Sequence, residues 1–329
     1  MLTPEQKKLR RTGLGSSDIA TIAGLGPFRK NGQPFHDPME IWCDKTGKAQ
    51  DDEDDDEGAE QKGLGHRLEP VIGQWYAEDR GIELSVLKPG TARHPSRKFM
   101  LATPDFVVRD AKGLVTEAIE VKNVGTYMVK DWRDGVPVYV TAQNLWQQEV
   151  LGIQTGHVAA LLGGRDRVSE PIAYVVEVVA ALVEVGEQFW DEHVIKDIPP
   201  PINATDSWAR YLKEKFPEVR GGMVEMAGGD EEAWALEWLT CKEQIDILEE
   251  RQAEATNNLK AVIDTNKGIF APGWQATWGS CKGNVLWKAV AEALWAGAAI
   301  PVNVDIANFA EPYRGDSYRK FTCKRKETP

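Results

Sequence analysis

Thr103-Pro104-Asp105-Phe106-Val107-Val108, a polar break from Arg109 to Gly113, then Leu114-Val115-Thr116-Glu117-Ala118-Ile119-Glu120-Val121-Lys122: the fold turns on how this stretch is read. Two β-rich apolar runs flank a turn containing Asp110 and Gly113, the pattern of an antiparallel hairpin. With the turn centred near Lys112 and Gly113, Asp105 falls opposite Glu120. Alternation along a strand puts Glu120 and Lys122 on one, polar face and buries Ile119 and Val121 on the other. Opposed carboxylates repel across a strand pair unless a cation lies between them, and hard oxygen ligands of this kind suit Mg²⁺ or Mn²⁺. A lysine beside such a metal can orient a water or help to deprotonate it, while the cation offsets charge on a phosphodiester in transit. Taken alone, Glu120-x-Lys122 reads as an ordinary ion pair. The Pro104-Asp105 ahead of the first strand, the spacing and the strand context favour the metal site.

The chain has 329 residues, enough for one large domain or two. Hydrophobic residues at 42% and charged ones at 27% are ordinary for a globular protein. No charged segment followed by an apolar one opens the chain, and no apolar run is long enough to span a bilayer, so no membrane association is expected. Cys43, Cys241, Cys281 and Cys323 are scattered without a C-x-x-C pair. That pattern predicts reduced thiols in a cytoplasmic compartment and neither a zinc site nor a disulfide framework. The net charge of −12 argues against DNA only at first sight, because Asp51 to Glu57 is a run of seven acids and the remainder carries −5. The run predicts a solvated loop over 51–60 that cannot line a DNA channel. Basic residues cluster at Lys7, Lys8, Arg10 and Arg11 and again from Arg319 to Lys326, and such local patches matter more than the total.

Near the N-terminus, Ser16 or Ser17 followed by Asp18 reads as a helix N-cap. The helix start would accept an anion such as a phosphate, with Arg10 or Arg11 completing the cradle. A short helix is predicted over Met39 to Lys45, ending at Gly47. Leu64, Leu68, Ile72 and Trp75 recur at helical spacing, with Val71 and Tyr76 widening the apolar face. Glu69 lies beside this stripe, either as a solvated flank or as a third carboxylate near the metal site. Pro70 marks a first turn or a kink. After the hairpin come a helix from Gln143 to Gly152, strands at His157 to Leu162 and Ile172 to Val179, and a helix from Ala180 to Ile195. This is an α/β plan with a central mixed sheet flanked by helices.

Pro199-Pro200-Pro201 sets the expected boundary between a domain at 1–200 and a C-terminal region at 201–329. In the latter, Asp230 to Asp264 predicts a long helix. Trp234, Trp238, Cys241, Ile245, Leu248, Gln252, Ala255, Leu259 and Val262 recur there at alternating steps of four and three. That heptad seam calls for a partner helix: Ala180 to Ile195, the same arm in another subunit, or a docked protein. Strands at Trp274 to Trp278 and Tyr318 to Lys324, around a helix from Val285 to Trp295, complete a small α+β tail.

In joint order these motifs resemble the YqaJ-type viral recombinase family, of which lambda exonuclease is the best known relative, and its PD-(D/E)xK nuclease signature. The motifs are Leu9-Arg10, Gly15-Ser16-Ser17-Asp18-Ile19-Ala20, Asp37-Pro38 leading to Trp42, Lys45-Thr46-Gly47, Gly65, Glu69-Pro70, Thr103-Pro104-Asp105, Glu120-Val121-Lys122 and the glutamine-bearing helix before Thr155-Gly156. The resemblance covers roughly residues 9 to 200. It implies a restriction-endonuclease-like core and a 5′ to 3′ exonuclease acting on double-stranded DNA ends, which leaves 3′ single-stranded tails for a single-strand annealing protein. It also implies two Mg²⁺ ions, replaceable by Mn²⁺, on Asp105, Glu120 and the Val121 carbonyl, with Lys122 and Glu69 positioning the attacking water. Arg10, Ser17 and Thr103 would hold the 5′ phosphate, and a homo-oligomer, a ring trimer, would surround DNA. The family's Gln-x-Gln reads here as Gln147-Gln148-Glu149, with Gln147 the preferred site residue. Two alternatives remain: another nuclease on the same core, such as an endonuclease or an iron-sulfur relative, and a non-catalytic DNA-binding module.

Overall fold

A computed structural model describes residues 8–28, 34–48, 56–88, 90–226, 228–282, 284–287, 290 and 318–325. The chain divides into two units, Met1–Arg220 and Gly221–Pro329.

The first unit opens with α1 (Ser16–Ile22) and α2 (Pro38–Lys45). Asp37 caps α2 by accepting from the backbone N–H of Met39 at 2.7 Å and Glu40 at 3.1 Å, and Pro38 occupies the first helical position, where its missing N–H costs nothing. A long helix, α3 (Asp56–Arg80), follows. It takes in Asp56 and Glu57, so the expected loop over 51–60 gives way to helix from residue 56; residues 51–55 lie outside the described chain. Pro70 sits inside α3, well past its first turn. Ile72 and Tyr76 are buried under it with Leu68 and Trp75 packed around them, whereas Leu64 and Val71 are exposed. Val71 therefore does not widen the apolar face; it lies outside the Leu68-Ile72-Trp75 stripe.

A small pair, β1 (Ala92–Arg93) with β2 (Leu101–Ala102), precedes the central sheet. That sheet contains β3 (Phe106–Arg109), β4 (Val115–Val124), β5 (Thr155–Leu162) and β6 (Asp166–Ala173) in the order β3-β4-β5-β6. β3 and β4 are antiparallel with Phe106 opposite Ile119, and the register slips only between Val108 and Arg109. β4 and β5 run parallel, which requires a crossover, and α4 (Val138–Leu151) is that crossover. β6 returns antiparallel along the edge. The sheet is thus mixed, as expected. Glu120 and Lys122 do not face open solvent, however: Glu120 is buried, and α4 packs across that side of β4 while α3 covers the side holding Ile119 and Val121.

The segment 172–179 departs from its expected strand. β6 ends at Ala173 and α5 (Val176–Phe189) begins three residues later, burying Val179, Leu182, Val183 and Phe189. A six-residue π-helical turn (Trp190–Ile195) extends it. The triple proline ends this helix but not the unit. Beyond it α6 (Asp206–Lys215) folds back so that Trp208 is buried, Tyr211 packs edge-on against Trp42 at 5.5 Å, and the Ser207 hydroxyl donates to Asp37. The compact unit consequently runs to Arg220, about one helix further than the sequence boundary at 200.

The second unit holds α7 (Asp230–Ile263) and an antiparallel sheet of β7 (Gly268–Ala271), β8 (Trp274–Cys281) and β9 (Tyr318–Arg325). Most of the helix expected at Val285 to Trp295 lies outside the described residues. The seam of α7 is exposed from Trp234 to Ala255, with Trp234 at 67% and Trp238 at 64%.

Candidate active site

Asp105 stands at the entry to β3, in line with Glu120 by the register that pairs Phe106 with Ile119. Its Oδ2 accepts the Val121 backbone N–H at 2.7 Å. Glu120 and Lys122 alternate on β4 and so share the face turned to α4, and the Lys122 ammonium donates to Glu120 Oε1 at 2.5 Å. The other Glu120 oxygen accepts from Gln147 Nε2 at 2.7 Å. Gln147 is wholly buried, and the same nitrogen lies 3.4 Å from the Ser16 hydroxyl oxygen, while its Oε1 is buried without a partner.

The electrostatics are those of a site short of positive charge. Burial, then the charge of Glu120, holds the Asp105 carboxyl well above the usual carboxylate range, against the opposing pull of Lys122 and the Val121 N–H; Glu69 adds a smaller push in the same upward direction. Burial works to lower the Lys122 pKa, but the charge and hydrogen bond of Glu120, and then Asp105, outweigh it and raise the pKa. Lys122 is therefore an ammonium in this arrangement. Tyr139, also raised by burial, lies within electrostatic reach of Lys122. Among the described residues no set of three or more His, Cys, Asp or Glu side chains converges as a metal cage. The centre is a carboxylate pair, with Glu69 close enough to be felt at Asp105.

The residues expected at the N-terminal end make contacts of their own, and Ser16 is the one linked to this centre among the described hydrogen bonds. Gly15, and not Ser16 or Ser17, is the N-cap of α1; its N–H donates to Asp18 Oδ2 at 2.8 Å, so Asp18 closes the cap from within the helix. Lys45 binds the same Asp18 oxygen at 2.8 Å and donates to the Arg10 carbonyl at 3.1 Å, a buried tether that fixes residues 10–18. That tether went unrecognised in the sequence because nothing local relates Lys45 to Asp18. Ser16 reaches the centre through Gln147, whereas Ser17 is exposed. Thr103 is exposed and its hydroxyl pairs with that of Thr91 at 2.9 Å. Glu69 pairs with His66 at 2.9 Å on α3.

Gln148 and Glu149 point elsewhere. Gln148 donates to Asn144 Oδ1 at 2.8 Å and to the Ile172 carbonyl at 3.0 Å, and Asn144 donates to the carbonyls of Ala118 and His157. Together they tie α4 to β4, β5 and β6. Glu149 accepts from Tyr174 at 2.6 Å and pairs with Arg97 at 3.4 Å.

A family model described as the YqaJ-like viral recombinase domain matches residues 5–158, an interval containing the carboxylate pair, Lys122 and Gln147. Over that interval the chain is similar to the YqaJ-like viral recombinase domain. The chain is 26% identical over 273 residues to the uncharacterised protein YqaJ of Bacillus subtilis strain 168, which spans 82% of this chain and 81% of that protein. Among solved structures, the alkaline exonuclease LHK-Exo of Laribacter hongkongensis is 20% identical, covering 65% of this chain and 97% of its own, with a TM-score of 0.46. Its complex with dAMP gives 21% and 0.47. A phage-related exonuclease from Haemophilus somnus 129PT gives 12% identity and a TM-score of 0.40, covering 58% of this chain and 99% of its own.

Proposed function

We propose that the YqaJ-like domain is a Mg²⁺-dependent exonuclease of the PD-(D/E)xK type that degrades one strand of double-stranded DNA from its 5′ end. The observation that carries this reading is the pair of half-buried Asp105 and buried Glu120 beside Lys122, whose combined charge calls for a cation. The donor set fits a hard divalent ion: two carboxylates, with the Val121 carbonyl as a further oxygen of the same kind. Asp105, Glu120 and that carbonyl would hold Mg²⁺, or Mn²⁺ in its place, and the family resemblance suggests two ions. The bound metal would polarise the scissile phosphate and lower the pKa of a water.

The protein's own groups then divide the remaining work. Lys122, an ammonium while paired to Glu120, would orient the water and place positive charge beside the phosphate; it could take a proton only after Glu120 has been neutralised by a cation. Glu69 would accept a hydrogen bond from the water. Gln147 holds Glu120 in one rotamer. Arg10, Ser17 and Thr103 would hold the 5′ phosphate. The product would be a 3′ single-stranded tail for an annealing protein in the cytoplasm of a bacterial host, with several subunits around the duplex.

Linear and covalently closed duplexes, each incubated with Mg²⁺ and with EDTA, test this reading. Loss of nucleotides from linear DNA alone, and only with the metal, is expected. Efficient cutting of the closed circle would overturn the requirement for an end, and cleavage in EDTA would overturn the metal's role.

A further inference from the structure

We propose that α7 pairs with the α7 of a second copy of this chain, parallel and in register, as a two-stranded coiled coil over Trp234 to Ala255. Steps of four and three assign Trp234, Cys241, Leu248 and Ala255 to the d positions of a heptad and Trp238, Ile245 and Gln252 to the a positions. Every one of these side chains is exposed. The small sheet of the second unit does not take the seam: it covers the side of α7 carrying Lys260 and Ile263, and Val262 at the next d position stays exposed. A helix of this length that leaves three heptads of its apolar edge in water is unfavourable, and the edge has the spacing of a coiled-coil interface.

Three features of the seam specify its occupant as the same helix. Ile245 at a and Leu248 at d are the branched and unbranched choices that favour two parallel strands. Gln252 is the single polar residue in the exposed a positions, and pairing with its own copy satisfies an amide that an unrelated apolar face would leave bare. Glu237 at g and Lys242 at the following e are five residues apart, the separation that parallel in-register pairing brings together between chains. Within the chain Lys242 has only an exposed contact with Asp246 at 3.5 Å among the described pairs, which it can share. Leu236, Leu239 and Ile247 lie off the seam and are not covered by this pairing.

Cys241 is an exposed thiol on the seam and serves as the reporter. In register it meets its own copy. In an antiparallel pair centred on Leu248 it would lie opposite Ala255, with the two Cys241 residues about 20 Å apart along the helix. The full chain is treated with a short bismaleimide, alongside Cys241→Ser, and the masses of the untreated chain and of Leu248→Glu are compared by sedimentation. Expected are a cross-linked pair lost in C241S and a twofold fall in mass in L248E. No cross-link in a chain whose mass does halve would overturn the parallel register. A threefold fall would overturn the two-stranded assignment, and an unchanged mass would overturn self-pairing itself. Should L248E not fold, the cross-link in the unmodified chain still decides: its presence supports the pairing and its absence overturns it.

Discussion

Gln147 sends its side-chain nitrogen to Glu120, while Gln148 turns to Asn144 and the Ile172 carbonyl on the opposite side of the same helix turn. The two are separable by experiment. Gln147→Leu frees a Glu120 oxygen, so activity should fall by about 10- to 100-fold, as expected when a side chain orienting a metal ligand is lost, with more Mg²⁺ needed for half-maximal rate and the melting temperature little changed. Gln148→Leu leaves buried acceptors unpaired, so it should cost about 1–3 kcal/mol of stability while the rate per folded molecule is kept; steady-state kinetics and urea melts on both variants check this. Asp105→Asn should abolish cleavage and, in EDTA, raise the melting temperature, because it removes a carboxyl whose charged form is disfavoured by burial and by Glu120 and keeps an acceptor for the Val121 N–H. A lower melting point in EDTA would show that the pair is not in conflict. Asp105, Glu120 and Lys122 were legible in the sequence because strand alternation and a short turn place them without reference to the rest of the chain. Gln147 was preferred over Gln148 by the family resemblance; deriving that choice from the residues needs the helix's rotation against the sheet, which three consecutive polar residues do not encode.

Elements with a strong local period were legible and those defined by their neighbours were not. The hairpin, β5 and α7 follow from alternation or heptads. β6 was misplaced because it is an edge strand, Asp166–Ala173, with mostly exposed residues, whereas the valine-rich run behind it, Val175 to Val179, leads into α5 and buries only Val179. At the junction of α4 and β5, Gly156 is required by contact: a Cβ there would stand 1.8 Å from Asn144 Oδ1 and 2.6 Å from Gln148 Nε2. Gly156→Ala should therefore cost at least about 2 kcal/mol, measured by denaturant unfolding. The turn after β1 carries a pH dependence. His94 Nδ1 accepts the backbone N–H of Arg97 at 2.9 Å and of Ser96 at 3.3 Å, and burial lowers its pKa below the ordinary 6.5. The unfolded chain then binds the proton more readily, so the stability held above pH 6.5 is lost as pH falls through the lowered value. His157, lowered by burial as well, acts in the same direction. Melting curves from pH 8 to pH 5 should fall less steeply for His94→Asn, whose side-chain oxygen can accept the same N–H groups without titrating; equal slopes would remove His94 from the account.

At the scale of the whole molecule, the proline run looked like a boundary because it stops a helix, and the true one lies where packing stops. Trp208 and Tyr211 lie beyond the prolines yet pack within the first unit. A chain ending at Arg220 should fold and cut linear DNA, whereas one ending at Pro201 should be unstable, having lost the cover over Trp42 and the Ser207 partner of Asp37. Circular dichroism and nuclease assays on the two fragments check this, and a stable, active fragment ending at Pro201 would restore the earlier boundary.

The shared nitrogen of Gln147 has one further consequence. It donates to Glu120 with one hydrogen and to Ser16, beside the proposed phosphate site, with the other, so those two regions are coupled through a single amide. Anything that draws the Ser16 segment towards a DNA end changes the hold on Glu120, and a tighter hold there alters the affinity for a cation. Thermodynamic linkage makes that exchange reciprocal: if a blunt, phosphorylated end strengthens the protein's grip on its metal, the metal strengthens its grip on the end by the same factor.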